Sequence, residues 1–139
     1  MKKNVPVSTI MTKNVVKLNL SDELTKAEAL FKKHNIRHIP VVTGSKIIGM
    51  LSYSDLLRIS FADAVFEDEE IDSVVYDMFD ISQVMTKNIV TVNEETTIKE
   101  TAEILASREF HALPVVKGDN LVGIVTTTDL IKYLLKQYD

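Results

Sequence analysis

An internal repeat constrains this chain more than any other feature of its sequence. When the chain is shifted along itself by 74 residues, so that Ser8 falls on Ser82, residues 8–58 match residues 82–132 without a gap. The recurring segments are Met11-Thr12-Lys13-Asn14 with Met85-Thr86-Lys87-Asn88, Ile39-Pro40-Val41-Val42 with Leu113-Pro114-Val115-Val116, Gly44 and Gly49 with Gly118 and Gly123, and Asp55-Leu56 with Asp129-Leu130. We therefore expect a first repeat over residues 8–58, a linker over residues 59–81 and a second repeat over residues 82–135.

Each copy predicts the element order β-α-β-β-α, which defines a mixed α/β (α+β) fold. A short strand, over residues 15–18 or 89–92, precedes a helix with apolar positions at helical spacing: Leu24, Ala27, Leu30 and Phe31, or Ile98, Thr101, Ile104 and Leu105. The candidate caps of this helix are Ser21 and Asp22, or Thr96 and Thr97. Apolar runs over residues 39–42 and 47–51 flank Gly44 and predict a hairpin. A second helix is expected from about Ser54, or from about Thr128.

One copy alone is too small to bury both its sheet face and its helices, because small units hide too little apolar surface to offset chain entropy. We therefore expect the two copies to pack as a pair related by a pseudo-twofold axis. Such a pair would leave clefts between the two sheets, and ligands usually bind in clefts of this kind.

Charge is distributed unevenly along the chain. The linker carries eight acidic residues and no Lys or Arg, whereas the whole chain has a net charge of −4. An acidic balance disfavours nucleic acid as a partner, and the mildly basic repeats suit a small anionic ligand. We expect residues 59–65 to extend the preceding helix and the acidic run at 67–72 to be mobile.

Two absences bear on the compartment and on membranes. The chain contains no cysteine, which is typical of a protein in a reducing interior, and we expect a cytoplasmic location. Without cysteine, no disulfide framework is expected. No apolar run has the length of a signal peptide core or of a membrane span, so no association with a membrane is expected either.

The ordered, twice-repeated motifs resemble tandem CBS (cystathionine β-synthase-type) repeats. The resemblance covers nearly the whole chain and includes the Met-Thr entry segment, the Pro-Val-Val strand and the ending Gly123-Ile124-Val125-Thr126-Thr127-Thr128-Asp129-Leu130. It implies a regulatory module, often dimeric, that binds AMP, ADP, ATP or S-adenosylmethionine between the repeats. With no output domain evident, the protein that reads the signal is expected to be a separate chain.

In both copies a hydroxyl stands three residues before a carboxylate where a strand turns into a helix. These are Ser52 with Asp55 and Thr126 with Asp129, and the hydroxyls of Ser54 and Thr128 lie in the same turn. The carboxylate can accept hydrogen bonds from both hydroxyls of a ribose, and the helix start suits a phosphate. The same pattern is also an ordinary helix-capping box that needs no ligand. The resemblance favours the ribose role.

The resemblance also assigns ligand contacts outside the helix starts. Basic side chains shortly before the Pro-Val-Val strand would meet the nucleotide phosphates, and the matching residues are Arg37, His38 and His111. Ala112 departs from this pattern, so the two sites need not be equivalent. The entry segments would contact the adenine, through the neighbourhood of Thr12, Asn14, Thr86 and Asn88.

Besides a nucleotide-binding regulatory module, the sequence allows three other hypotheses: a metal site, an enzyme and a structural dimerisation module. A metal site on His34 and His38 is disfavoured because the helix should end before His38 and no third ligand has matching spacing. An enzyme is disfavoured because no phosphate-binding glycine loop or hydrolase motif occurs. A structural dimerisation module with an empty cleft stays open. The last helix carries apolar residues beyond one inner face and predicts a homodimer: Leu130, Ile131, Leu134, Leu135 and Tyr138.

Overall fold

The computed structural model describes residues 4–61, 76–108 and 110–139, and for residues 60 and 61 it describes the backbone alone. The chain divides into two compact units. One unit is the continuous segment Val16–Ile89, and the other joins the residues up to Val15 to Val90–Asp139. Both units are mixed α+β, which confirms the predicted fold class.

Among its described residues, the unit Val16–Ile89 includes three strands and three helices with defined bounds, and Tyr76 and Asp77 are also helical. Strand β1 (Leu18–Asn19) is parallel to β2 (His38–Thr43), which is antiparallel to β3 (Lys46–Ser52). The helices are α1 (Leu24–His34), α2 (Tyr53–Phe61) and the short α3 (Ile81–Val84). The fully buried core contains residues from the strands and from the helices, including Leu18, Leu24, Ile39, Leu51, Leu56 and Ile81.

The other unit repeats this arrangement. Strand β4 (Val92–Asn93) is parallel to β5 (Ala112–Lys117), which is antiparallel to β6 (Asn120–Thr126). The helices are α4 (Ile98–Arg108) and α5 (Thr127–Lys136), and a 3-10 turn lies at Val7–Thr9. The buried core includes Val7, Val92, Leu105, Leu113, Val115 and Val125. The predicted order β-α-β-β-α is thus observed twice.

The first strand of each copy was predicted too early and too long. Only Leu18 and Val92 of the predicted ranges pair in a sheet, and each strand continues by one residue, to Asn19 or Asn93. The residues before them make no ladder bonds with β2 or β5. The apolar residues before them are half-buried, and Val16 and Val90 pack against the cores of their units without pairing in a sheet.

The two hairpins form where the glycines predicted them. Gly44 and Gly118 have φ of 63° and 64°, a region that costs an L side chain energy but not glycine. Each glycine is the first of two turn residues between paired strand ends, Thr43 with Lys46 and Lys117 with Asn120. Glycine at the first central position is the preference of a two-residue hairpin turn that matches the strand twist.

The predicted caps of the first helix of each copy differ in outcome. Thr97 caps α4, because its Oγ1 accepts a hydrogen bond from the Glu100 N–H at 3.1 Å. The prediction for α1 was wrong: the helix begins one residue later than a cap at Asp22 requires, after Glu23, which makes no side-chain cap bond. Instead the Asp22 carboxylate accepts from the Asn19 N–H at 2.8 Å and closes the turn after β1.

Each sequence copy contributes its entry segment to the unit that holds the other copy's strands. Thr12 pairs with Ile124 on β6 through two backbone hydrogen bonds of 2.8 and 3.0 Å, and Thr86 pairs with Met50 on β3 at 2.8 and 3.0 Å. The compact units therefore differ from the sequence copies.

Only part of the predicted linker lies within the described residues. Helix α2 runs to Phe61, so the predicted extension begins as expected, while residues 62–65 and the acidic run at 67–72 lie outside the described residues. Within the described ranges, every helix is too short or too polar to traverse a lipid bilayer.

Candidate functional site

The start of α2 is a capping box built on Asp55. Ser52 Oγ accepts from the Asp55 N–H at 3.0 Å, and Asp55 Oδ2 accepts from the Ser52 N–H at 3.3 Å. The second carboxylate oxygen, Oδ1, lies 3.4 Å from Nη1 of Arg58, one turn along the helix. Both oxygens of Asp55 therefore have partners in the protein. Sequence reasoning missed Arg58, although its spacing of three residues from Asp55 on a helix is a signal for an ion pair.

The start of α5 is built in the same way on Asp129. Thr126 Oγ1 accepts from the Asp129 N–H at 3.2 Å, and Asp129 Oδ2 accepts from the Thr126 N–H at 2.9 Å and the Thr126 hydroxyl at 3.2 Å. Oδ1 of Asp129 has no partner among the described residues. One oxygen of this half-buried carboxylate thus holds the helix start and the other remains an available acceptor.

Most backbone donors at these helix starts are already used. The Tyr53 N–H donates to the Arg37 carbonyl at 2.9 Å, and the Thr127 N–H donates to the His111 carbonyl at 3.0 Å. Together with the capping box, this leaves the N–H of Ser54 or Thr128 as the unpaired donor of its first turn within the described chain. Among the described residues, each helix start therefore has one N–H and one exposed hydroxyl to offer a phosphate.

The residues predicted to meet phosphate lie beside these helix starts. His38 is directly opposite Ser52 in the β2–β3 ladder, and the adjacent Arg37 is exposed. In the other unit the exposed His111 is followed by Ala112, which is buried opposite Thr126. The fold therefore brings Arg37 and His38 near Asp55, and His111 near Asp129. Of the residues predicted to meet phosphate, two therefore lie at the first position and one at the second.

The geometry bears on the metal hypothesis for His34 and His38. Helix α1 ends at His34, and Asn35 follows in the left-handed conformation with φ of 52°. His38 belongs to β2, so the two imidazoles do not share a helix face. Among the described residues no three His, Asp or Glu side chains gather in a way that could hold a metal ion.

The predicted entry residues reach the candidate sites from the other sequence copy. Thr86 pairs with Met50, two residues before Ser52, and Thr12 pairs with Ile124, two residues before Thr126. All four predicted entry residues have exposed side chains: Thr12, Asn14, Thr86 and Asn88. The two threonines are therefore close in the sheet to the capping boxes. No hydrogen bond joins their side chains to Asp55 or Asp129 in the described chain.

Two glycines permit this close approach. A Cβ on Gly123 would lie 2.5 Å from Sδ of Met11 and 3.1 Å from the Thr12 carbonyl oxygen, and a Cβ on Gly49 would collide with Sδ of Met85. A glycine inside an apolar strand often marks the close approach of another backbone, so Gly49 and Gly123 could have revealed that a segment crosses each strand, but not which segment.

The chain matches the family model for the CBS domain twice, over residues 7–62 and 81–136. Among curated relatives it is 30% identical over 139 residues to the uncharacterized protein MJ1404 of Methanocaldococcus jannaschii, covering 95% of this chain. It is 29% identical to the CBS domain-containing protein YhcV of Bacillus subtilis, covering 89% of this chain and 81% of that protein. The chain spans 32% of the length of MJ1404 and 47% of the length of MJ1225 from the same archaeon.

Solved structures show the same fold. CBSX2 in complex with AMP superposes with a TM-score of 0.81 at 21% identity, covering 97% of this chain and 99% of that chain. The CBS domain pair of protein MJ0100, in complex with 5′-methylthioadenosine and S-adenosyl-L-methionine, superposes with a TM-score of 0.77 at 23% identity, covering 94% and 99%.

Relatives that carry an enzyme's name match this chain over a small part of their length. Homoserine O-acetyltransferase of Methanohalobium evestigatum is 25% identical, and the match covers 92% of this chain but 24% of the enzyme. Most of that enzyme therefore has no counterpart here.

Proposed function

Because this chain belongs to the CBS domain family, we propose that it is a non-catalytic regulatory module that senses an adenine nucleotide and signals to a separate protein partner. The observation that carries the proposal is the carboxylate of Asp129. One oxygen of this half-buried side chain holds the start of α5, while the other accepts no hydrogen bond from the described residues. An anionic acceptor held rigidly in this way suits the two vicinal hydroxyls of a ribose.

The ligands of the structural neighbours support the ligand class. AMP, 5′-methylthioadenosine and S-adenosylmethionine, which occupy CBSX2 and the MJ0100 pair, share an adenine joined to a ribose and differ in what the ribose carries. The shared part requires a ribose acceptor and an apolar slot. We propose AMP, ADP, ATP or S-adenosylmethionine as the ligand, bound in the cleft of a pseudo-twofold pair of repeats.

Each candidate residue has a role in this proposal. Asp55 and Asp129 accept from the ribose, helped by the hydroxyls of their own turns: Ser52, Ser54, Thr126 and Thr128. Basic side chains bind the phosphates of a nucleotide, or the carboxylate of the methionine part of S-adenosylmethionine: Arg37, His38 and His111. The entry segments contact the adenine: Thr12, Asn14, Thr86 and Asn88.

The proposal includes a homodimer in the cytoplasm. On α5, Ile131 is 56% exposed, Leu135 is 61% exposed and Leu134 is also exposed, and the exposed Tyr138 follows two residues after the helix ends. Apolar surface concentrated on one helix is typical of an interface. A chain of 139 residues without cysteine fits a reducing compartment.

Calorimetric titration of AMP, ADP, ATP and S-adenosylmethionine tests the ligand, and Asp129→Asn and Asp55→Asn test the site. Asparagine keeps an oxygen for the capping box but loses the charge. We expect each loss to weaken binding at its own site about ten- to a hundredfold, since hydrogen bonds to a charged group contribute about 1.5–3 kcal/mol. A double variant that binds as tightly as wild type would rule out the site.

The alternative function is a structural dimerisation module with an empty cleft, and the exposed apolar side of α5 favours it. It predicts no heat and no thermal shift with any of the four ligands at millimolar concentration. Light scattering would then still report a dimer. Binding of any of these ligands at Asp55 or Asp129 would exclude it.

A further inference from the structure

The two candidate ribose acceptors have unequal surroundings. Asp55 Oδ1 is 3.4 Å from the guanidinium of Arg58, and its side chain is 17% exposed while that of Arg58 is 78% exposed. The repeat places Lys132 at the position that corresponds to Arg58. Lys132 makes no ion pair within the described residues, and Oδ1 of Asp129 stays unpaired there. The two positions are therefore alike in the capping box and different in the oxygen that faces a ligand.

We propose that Arg58 makes the two nucleotide positions unequal by occupying the oxygen of Asp55 that a ribose needs. This inference rests on the proposed function and concerns the order in which its two sites fill. In both copies Oδ2 accepts the N–H of the capping residue, so Oδ1 is the oxygen that a ribose can use without competing with the helix cap. At Asp129 that oxygen is available from the start. At Asp55 the Arg58 pair must first open, so a ligand that carries a ribose without a phosphate binds more tightly at the Asp129 position and fills it first.

The size of the difference follows from the kind of ion pair. A pair at i,i+3 on a helix surface with one partner largely exposed is weak, and opening it reduces affinity by a factor of about two to five. The effect is smaller at high salt because exposed charges are screened. The chemistry of the two side chains explains why Arg58 pairs with its carboxylate and Lys132 does not among the described residues. A guanidinium offers a rigid planar fork to a carboxylate, whereas a lysine ammonium is a flexible and strongly hydrated point charge.

The test isolates one site at a time and uses adenosine, which carries the ribose without a phosphate that Arg58 could attract. Asp129→Asn leaves the Asp55 position, and Asp55→Asn leaves the Asp129 position. Arg58→Gln is then added to each, and adenosine affinity is measured by calorimetry at low and at high salt. We expect Arg58→Gln to tighten binding about two- to fivefold in the Asp129→Asn background and to change nothing in the Asp55→Asn background. The gain should shrink as salt rises.

The outcomes separate this inference from the proposed function. If wild type binds neither adenosine nor any of AMP, ADP, ATP and S-adenosylmethionine, the proposed function fails and the inference falls with it. If wild type binds but Arg58→Gln leaves the Asp129→Asn variant unchanged, or weakens it, Arg58 is not a competitor and the inference is overturned while the sensor stands. The same holds if the Asp129→Asn variant binds no adenosine and Arg58→Gln restores none.

Discussion

Replacing Gly123 with alanine tests the exchange of entry segments between the sequence copies. The added Cβ would lie 2.5 Å from Sδ of Met11 and 3.1 Å from the Thr12 carbonyl oxygen. The Met11 side chain can move away because it is flexible. The carbonyl can move only by straining the two backbone hydrogen bonds that join Thr12 to Ile124, which are 2.8 and 3.0 Å long.

The expected cost combines three contributions. Forcing an extra methyl group into a packed site costs about 1–3 kcal/mol, and weakening one backbone hydrogen bond costs about 1 kcal/mol. Restricting the unfolded chain returns about 0.4–1 kcal/mol. The net loss is about 1–3 kcal/mol in the free energy of unfolding, which lowers the melting temperature by about 3–10 °C for a chain of this size.

Thermal unfolding followed by circular dichroism measures the loss, and a second substitution locates its cause. In a Met11→Ala background the side-chain collision disappears, so Gly123→Ala should cost clearly less than in wild type. Gly118→Ala is the matched control: it meets no atom within 4 Å but carries a φ of 64°, so its cost should not depend on Met11. An unchanged melting temperature for Gly123→Ala, or a cost that Met11→Ala fails to reduce, would refute the reasoning.

Three further predictions concern other parts of the fold. Asn35 ends α1 with φ of 52°, so Asn35→Ala should lose about 1–2 kcal/mol in urea unfolding while Asn35→Gly loses little; equal losses would contradict this. Leu135 is 61% exposed on α5, so Leu135→Lys should convert the expected dimer into a monomer by light scattering, and a monomeric wild type would remove the dimer from the proposal. A fragment of residues 16–89 should fold cooperatively by circular dichroism because it is a complete compact unit, whereas residues 8–58 lack the segment that pairs with Met50 and should not; the reverse result would show that the sequence copy is the folding unit.

Local signals in the sequence predicted most of the elements. Gly44 and Gly118 located the hairpins because only glycine takes a positive φ without strain. The helical spacing from Leu24 to Phe31 located α1 because apolar residues at that spacing line one face. The sequence also predicted the capping boxes, because Thr126 and Asp129 are three residues apart and form hydrogen bonds within one turn. Each of these features depends on residues that are neighbours along the chain.

The error at the start of α1 arose because a side chain had a choice of local partners. Asp22 was expected to cap α1, but its carboxylate closes the preceding turn on the Asn19 N–H and pairs with Lys26 at 3.2 Å. The sequence offers both partners at short range. Which one wins depends on where the helix begins, and packing of Leu24 in the core fixes that position.

Contacts between distant segments were decided by the tertiary structure alone. The sequence shows that Thr12 and Thr86 are equivalent, but not that each pairs with a strand of the opposite copy. Because the two copies have the same motifs, the local pattern around the entry segments suits either pairing and does not distinguish them. Likewise, Asp55 and Asp129 look alike in the sequence, and only the side-chain geometry shows Arg58 on one carboxylate and an unpaired oxygen on the other within the described chain. The repeat thus determined what each unit is made of, while three-dimensional packing determined which segments complete it and how its carboxylate is occupied.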